Sequence, residues 1–241
     1  MEKIFGKHSV RAVFLTRPRD IKRFVIAGKE SYHEELIKLA RKQGITPELM
    51  EWKDFRKLGK FTEDDKHQGV LIHAEPRTIY AEKDMDLLED ARCILMLDQI
   101  TNPQNLATIL RAAGFFRADA VMLMKDRAVD VSPVVTRYAV GGAEFTKIFR
   151  VTNLSQALAD LKSMGFWVYG MDERGKGTLA QTNFDQKTVF VIGAEGEGLR
   201  PKTRKYCDEL VRIPGGREGI ESVNAGIAAT ISLYEIYRKK D

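Results

Sequence analysis

The chain has 241 residues, of which 44% are hydrophobic and 30% charged, a composition typical of a globular protein with one large or two smaller domains. It contains no run of about 18 apolar residues, and its first residues lack the apolar core and cleavage site of a signal peptide. We therefore expect a cytoplasmic protein without a membrane-spanning helix. Cys93 and Cys207 form no CxxC pair, so neither a disulfide framework nor a thiolate metal site is indicated.

The formal net charge of +5 is unevenly distributed. Residues 1–75 carry 16 Lys and Arg against 12 Asp and Glu, whereas residues 76–241 carry 23 against 22. A basic cluster in the first segment, the candidate RNA-binding surface, comprises Arg17, Arg19, Lys22 and Arg23. A solvated face would explain the same charges, so composition leaves both interpretations open.

Residues 1–75 predict a compact α/β unit, with a helix at 7–15, a strand at 21–28, a helix at 31–44, another strand and helix, and a last strand at 67–75. Ser31 and Glu34 predict a capping box at the start of the second helix. Residues 76–90 are polar and acidic and begin with a proline, so we place an interdomain linker there.

From residue 91 onwards, short apolar strands alternate with helices. The strands read CILMLD, DAVMLM, FTKIFRV, FWVYGM, TVFVIG and ELVRIP, and the last helix is expected at 222–239. Continuous apolar strands separated by helices predict an α/β domain whose mostly parallel sheet is covered on both faces.

The chemistry of this larger domain must come from groups other than histidine. All four histidines lie within the first 73 residues, so the domain cannot contain a Ser-His-Asp arrangement, and no metal site is indicated. Polar residues concentrate at 98–111 and 193–224. In the first stretch, Asn105 and Arg111 are six residues apart and face different sides of a predicted helix; a first-turn polar residue and a surface cation are the plainer interpretation.

In the second stretch, the strand VFVIG leads into a turn that contains Gly193, Glu195, Gly196 and Gly198. The spacing G-x-x-G-x-G does not match the GxGxxG fingerprint, which disfavours a nicotinamide dinucleotide site. Farther along, a glycine-rich loop ends at Ser222, which we predict to be the N-cap of the last helix.

Four short patterns then occur in order: N-x5-R after one strand, G-x-E-G-x-G after another, I-P, and E-S-V-N at the last helix. Together they resemble the three sequence motifs of the SpoU/TrmH RNA ribose 2′-O-methyltransferases of the SPOUT superfamily. FGKHSVRAV near the start and HQGV at 67–70 resemble the ribosomal-protein-like substrate-binding domain of these enzymes. The resemblance covers nearly the whole chain.

This resemblance implies a methyl transfer from S-adenosyl-L-methionine to a ribose 2′-hydroxyl, most simply in 23S rRNA. It also implies an RNA substrate-binding domain at 1–75, a SPOUT methyltransferase domain at 91–241 with a C-terminal trefoil knot, and a homodimer. The alternatives are a tRNA ribose methyltransferase, an rRNA-modifying resistance enzyme, or a non-catalytic RNA-binding or ribosome-assembly protein.

Carried over residue by residue, the resemblance implies a catalytic set of Asn105, Arg111, Glu195, Ser222 and Asn224. The implied cofactor-binding residues are Met171, Gly193, Glu195, Gly198, Ile213, Val223 and Asn224. Arg111 is also expected to contact RNA. It is often cast as a general base in the family, yet a guanidinium stays protonated, so we favour a role in positioning phosphate and stabilising alkoxide charge.

Overall fold

The computed structural model describes residues 1–63, 65–216 and 222–240. Within these ranges, no helix is long and apolar enough to cross a membrane. The chain forms two domains, each with its own β-sheet. The described elements of the N-terminal domain are β1 (Glu2–Phe5), α1 (Lys7–Thr16), β2 (Ile21–Ala27), α2 (Glu34–Lys42), β3 (Glu48–Met50), α3 (Trp52–Gly59) and β4 (Val70–Ala74).

The N-terminal sheet has the strand order β1-β4-β2-β3. β4 runs antiparallel to both β1 and β2, whereas β3 runs parallel to β2. Helices α1 and α2 bury Phe14 and Leu36 against one face, and α3 buries Phe55 against the other. The predicted α/β unit is therefore confirmed.

The predicted capping box of α2 is wrong. Ser31 lies within a 3-10 helix, Glu30–His33, and α2 begins at Glu34 with His33 as its N-cap and no side-chain cap. The short helix shifts the start of α2, so that Glu34 occupies the first helical position rather than the third, from which a capping box reaches back.

The second domain alternates strands and helices as predicted. Its described elements are β5 (Cys93–Leu97), α4 (Pro103–Phe115), β6 (Ala120–Met124), α5 (Pro133–Tyr138), β7 (Lys147–Val151), α6 (Leu154–Ser163), β8 (Trp167–Met171), β9 (Gly177–Thr178), β10 (Thr188–Ile192), α7 (Pro201–Arg204), β11 (Glu209–Arg212) and α8 (Ala225–Lys240).

The seven strands of this domain form one sheet in the order β7-β6-β5-β10-β8-β11-β9, and every pairing is parallel. All five residues of β5 and of β10 are buried. Helices α4, α5 and α8 contribute to the core on one face and α6 to the core on the other. Coverage of both faces explains why these central strands are continuously apolar.

Residues 76–90, which the sequence suggested as a linker, contact the second domain closely. Tyr80 forms a parallel bridge with Phe149 of β7. The 3-10 helix Glu82–Leu88 then buries Met85 and Leu88 in the core that α6 covers. This segment therefore forms part of the surface of the second domain.

An ion-pair cluster of two arginines and two glutamates joins the domains. Arg17, just after α1, pairs with Glu2 at 2.9 Å and with Glu144 of the second domain at 2.8 Å. Arg77 pairs with the same two carboxylates at 3.0 and 2.7 Å. The four side chains are only 5–15% exposed, so water screens these charges weakly. We call these residues the interdomain cluster.

We expect Arg77→Ala to lower the free energy of unfolding by about 3 kcal/mol, because removing one partner leaves buried carboxylates with less compensation. Arg23→Ala is the matched control. In the Arg23–Glu48 pair the two side chains are 34% and 49% exposed, so this pair should contribute less than about 1 kcal/mol to the free energy of unfolding. Urea unfolding followed by circular dichroism compares the two variants; equal small losses would contradict a coupling role for the cluster.

Candidate active site

The candidate site lies at the carboxyl edge of the parallel sheet. Strand order reverses between the adjacent strands β5 and β10, because the chain continues from β5 to β6 on one side and places β8 and β11 on the other. Loops at such a switch point diverge and leave a crevice, the usual ligand site of open α/β sheets. Next to this point, on the side of β10, the loops after the three adjacent strands β10, β8 and β11 meet at the same edge of the sheet.

These loops enclose a cavity of about 250 Å³, which we call the three-loop cavity. Most predicted cofactor-binding residues lie in its wall, together with the predicted catalytic residue Ser222. The predicted lining residues are Met171, Gly193, Glu195, Gly198, Ile213 and Val223. Asn224 does not line the cavity itself. It follows Val223 of the wall and donates a hydrogen bond to Glu195.

The loop after β10 is folded back on itself at Gly193. The amide N–H of Gly198 donates to the carbonyl of Ala194 at 3.0 Å. A Cβ on Gly193 would lie 2.4 Å from the carbonyl oxygen of Gly198, so the fold leaves no room for a side chain there. Glycine at this position lets the loop present backbone groups to the cavity.

Asn105, Glu195 and Asn224 form one hydrogen-bonded network at the cavity. Asn105 Nδ2 donates to Glu195 Oε1. Asn224 Nδ2 donates to Asn105 Oδ1 and to Glu195 Oε1, both at 2.8 Å. Asn105 is buried, with 4% of its surface exposed, whereas Glu195 and Asn224 are exposed. The network thus places an oriented carboxylate where a ligand can reach it.

Asn224, rather than Ser222, is the N-cap of α8. Its Oδ1 accepts from the amide N–H of Gly226 at 2.8 Å and of Ile227 at 3.3 Å, and α8 begins at Ala225. The predicted cap was wrong by two residues. The side chain of Asn224 therefore performs two tasks, since its oxygen caps the helix while its nitrogen supports the network.

Arg111 lies on α4 apart from this network. It is exposed, and among the described residues no hydrogen bond or ion pair joins its side chain to another group. Asn105 and Arg111 are about 240° apart around the helix, which explains why one points to Glu195 and the other to solvent. Within one chain, the structure does not bring Arg111 to the other four predicted catalytic residues.

The predicted RNA-binding cluster does not form one free basic surface. Arg17 belongs to the interdomain cluster, Arg23 pairs with Glu48 at 2.7 Å, and Lys22 lies 3.5 Å from Glu75. Arg19 is exposed. Arg17 is thus held in a structural role, because its partner Glu144 lies 127 residues away in sequence and could not be foreseen from local charge.

Sequence reasoning missed two buried aspartates that hold the site. Asp98, which follows β5, pairs with Arg200 at 2.6 Å and accepts from Thr203 Oγ1 at 2.7 Å. Asp172, which follows β8, pairs with Arg204 at 2.6 Å in the cavity wall. Both could have been found from one sequence feature, an acidic residue directly after an apolar strand. In the described ranges, no three His, Cys, Asp or Glu side chains are grouped as metal ligands.

Comparison with known families covers both domains. A sequence model of the SpoU rRNA Methylase family matches residues 92–234. A second model, described as RNA 2'-O ribose methyltransferase substrate binding, matches residues 3–80. The two matches follow the division into two sheets.

Curated relatives match the full chain. The 23S rRNA (guanosine-2'-O-)-methyltransferase RlmB of Pseudomonas syringae pv. tomato is 33% identical over 246 residues, covering 100% of this chain and 96% of the relative. RlmB of Escherichia coli K12 is 32% identical and covers 99% of each. The crystal structure of the SpoU methyltransferase AviRb from Streptomyces viridochromogenes with AdoMet has a TM-score of 0.77 at 22% identity, covering 99% of this chain and 90% of AviRb, and shares the fold.

The parallel sheet, the three-loop cavity and the preceding domain define a two-domain enzyme of the RNA-methylase class. The chain belongs to the SpoU rRNA Methylase family, because the family model matches more than half of it and relatives above 30% identity cover it from end to end. The resemblance recognised in the sequence is confirmed.

We expect Asn224→Ala and Asn224→Asp to separate the two tasks of this residue. Alanine removes the cap and the donors, and should lower both stability, by about 1 kcal/mol, and turnover. Aspartate keeps a capping oxygen, which the helix N-terminus favours, but loses the N–H donors. Thermal unfolding and a methyl-transfer assay should show a smaller stability loss for Asp with a similar loss of turnover; full activity of Asn224→Asp would exclude the network from catalysis.

Proposed function

We propose that this protein transfers a methyl group from S-adenosyl-L-methionine to the ribose 2′-hydroxyl of a guanosine in 23S rRNA. The observation that carries the proposal is the Asn105–Glu195–Asn224 network beside the three-loop cavity. The relatives named for this reaction match the whole chain, both domains included, which favours rRNA over tRNA and an enzyme over a scaffold.

The residues of the three-loop cavity suit this cofactor. Its walls combine backbone of the glycine-containing loops with the apolar side chains of Met171, Ile213 and Val223. Backbone N–H and C=O groups provide donors and acceptors for an adenine ring. The wall contains four acidic side chains and three arginines, so its formal net charge is −1, which is compatible with a sulfonium. We propose that these loops hold the cofactor.

When bound, the cofactor supplies an electrophilic methyl group. The residues must then orient the ribose hydroxyl and take its proton, because a neutral hydroxyl is a poor nucleophile. In the network, the two asparagine amides are neutral, and only Glu195 can accept a proton. Both amides donate to Glu195 Oε1, so we propose that its other oxygen accepts from the 2′-hydroxyl.

We propose that Arg111 reaches the site from a second copy of the chain. Its exposed side chain points away from Asn105, and exposed apolar side chains lie around the same surface of α4 and α8. Phe115, Ile227 and Tyr234 are 77%, 48% and 48% exposed. Burying these exposed side chains against a second copy would favour a homodimer, in which Arg111 binds the target phosphate and stabilises developing alkoxide charge.

We also propose that residues 1–75 serve as the RNA substrate-binding domain. Residues 91–241, with the segment 76–90 packed on their surface, form the SPOUT domain. The position of β10 between β5 and β8, with α8 against α4, is compatible with a C-terminal trefoil knot. The part of that region at 217–221 lies outside the described residues.

The function is tested by mapping ribose methylation across 23S rRNA and tRNA from cells with and without the gene. We expect one guanosine of 23S rRNA to lose its methyl group in the deletion strain and to regain it when the purified protein and S-adenosyl-L-methionine are added to the unmodified RNA. A lost tRNA methylation instead would establish the tRNA alternative, and no change in either RNA would support the scaffold.

We expect Glu195→Gln to lower turnover at least about a hundredfold, the usual contribution of a general base. Cofactor affinity, measured by calorimetry, should stay within a few-fold because glutamine keeps the shape of the side chain. Glu197→Gln is the control for charge, since Glu197 is an exposed acid in the same loop and cavity wall; it removes the same charge, so any loss of cofactor affinity should be shared, but its turnover at saturating cofactor should stay near that of the wild type. Equal activities of the two variants would remove Glu195 from proton transfer.

Mixed dimers test the origin of Arg111. Arg111→Ala and Asn224→Asp chains should each be inactive alone. If the two residues meet across a symmetric interface, each mixed dimer regains one intact site, and an equal mixture recovers about a quarter of wild-type turnover. If Arg111 acts within its own chain, the mixture stays inactive.

A further inference from the structure

A second cavity, of about 460 Å³, lies in the N-terminal domain between the start of α1 and the 3-10 helix that precedes α2. We call it the N-domain cavity. Its volume is within the range of small-ligand sites, about 300–1,000 Å³. Its polar and aromatic lining residues include Lys7, His8, Arg11, Tyr32, His33 and Gln68.

His33 lies in the wall of this cavity and carries a buried ring nitrogen without a partner among the described residues. The residue is only 4% exposed, and its Nε2 lies 3.0 Å from the carbonyl oxygen of Ala27. Because a carbonyl only accepts, Nε2 is the donor of this bond, and in the Nε2–H tautomer Nδ1 is an acceptor. Nδ1 is buried and has no donor among the described residues. Buried polar atoms are nearly always paired in folded proteins, so Nδ1 is placed for a donor from outside the chain.

Lys7 and Tyr32 add a cation and an aromatic face. Lys7 Nζ donates to the carbonyl oxygen of Tyr32 at 2.5 Å, and an ammonium has two further donors. Tyr32 is 65% exposed. Arg11 is also at the wall, where it forms an exposed pair with Glu35 that an anion could displace at little cost.

We propose that the N-domain cavity binds one unpaired nucleotide of the substrate RNA. Its base stacks on Tyr32 and donates an N–H to His33 Nδ1, while Lys7 contacts its phosphate. A base within a duplex has its Watson–Crick donors engaged and its faces covered, whereas a bulged or looped base offers both. This inference rests on the proposed function, since it presumes that RNA is the substrate.

The test uses the full-length protein and RNA hairpins that differ only at one position, with fluorescence anisotropy as the readout. One hairpin is fully paired, four carry a single bulged A, C, G or U, and one carries an abasic bulge. We expect at least one bulged hairpin to bind about tenfold more tightly than the paired one, the range of a single base stacked on an aromatic ring. The abasic hairpin should lose most of that preference.

Variants of exposed residues connect the preference to the cavity without disturbing the core. Tyr32→Ala should abolish the preference for the bulged base, and Tyr32→Phe should restore it. In the Tyr32→Ala variant, replacing the bulged base by an abasic site should lower the affinity no further. This is the result expected when the ring and the base contact each other. Lys38→Ala is the matched control, because Lys38 is an exposed cation on α2 outside the cavity wall; it should keep the preference.

Equal binding of paired and bulged hairpins, or an unchanged preference in Tyr32→Ala, would overturn the inference. Free mononucleotides are titrated in parallel. Tyr32-dependent binding of a mononucleotide without any preference for bulged RNA would assign the cavity to a free nucleotide and overturn the RNA assignment.

Methyl transfer to 23S rRNA is measured with the same protein preparations. An intact bulge preference without methyl transfer would reject the proposed function and leave the N-domain cavity as an RNA site.

Discussion

The site depends on satisfying the buried amide of Asn105. Left without partners, such a group would cost about 1–3 kcal/mol, and here Glu195 and Asn224 satisfy it. Because these residues come from the start of α4, the loop after β10 and the start of α8, the network holds together three segments that are distant in sequence. The network therefore restrains the carboxylate of Glu195 through hydrogen bonds from two other segments.

The position of α4 also links the two domains. The 3-10 helix Gly142–Glu144 packs so closely on α4 that a Cβ on Gly142 would lie 2.5 Å from the Cα of Arg111. Its last residue, Glu144, is the carboxylate through which Arg17 and Arg77 connect the N-terminal domain. These contacts thus connect the N-terminal domain to the helix that bears both Asn105 and Arg111.

The sequence predicted strands and helices well where apolar residues follow a regular pattern over the whole element, as in β5, β10 and α4. It failed at helix starts. Ser31 and Ser222 are both good capping residues, yet His33 and Asn224 occupy the cap positions. Several neighbouring residues can cap the same helix, and the packing of the whole helix decides at which of them it begins. The basic cluster failed for a related reason, since charge density does not reveal which arginine has a buried partner.

By itself, the sequence determined the fold class and the family, because apolar periodicity and ordered motifs are local properties of the chain; the polar site residues stay a prediction from those motifs. Only the tertiary structure decided which of these residues meet. Asn105 and Glu195 are 90 residues apart, and Arg17 and Glu144 are 127 apart. Likewise, only the folded surroundings of His33 show that its Nδ1 has no partner among the described residues. Such contacts depend on how sheets and helices pack over long loops, and no local pattern of side chains encodes that geometry.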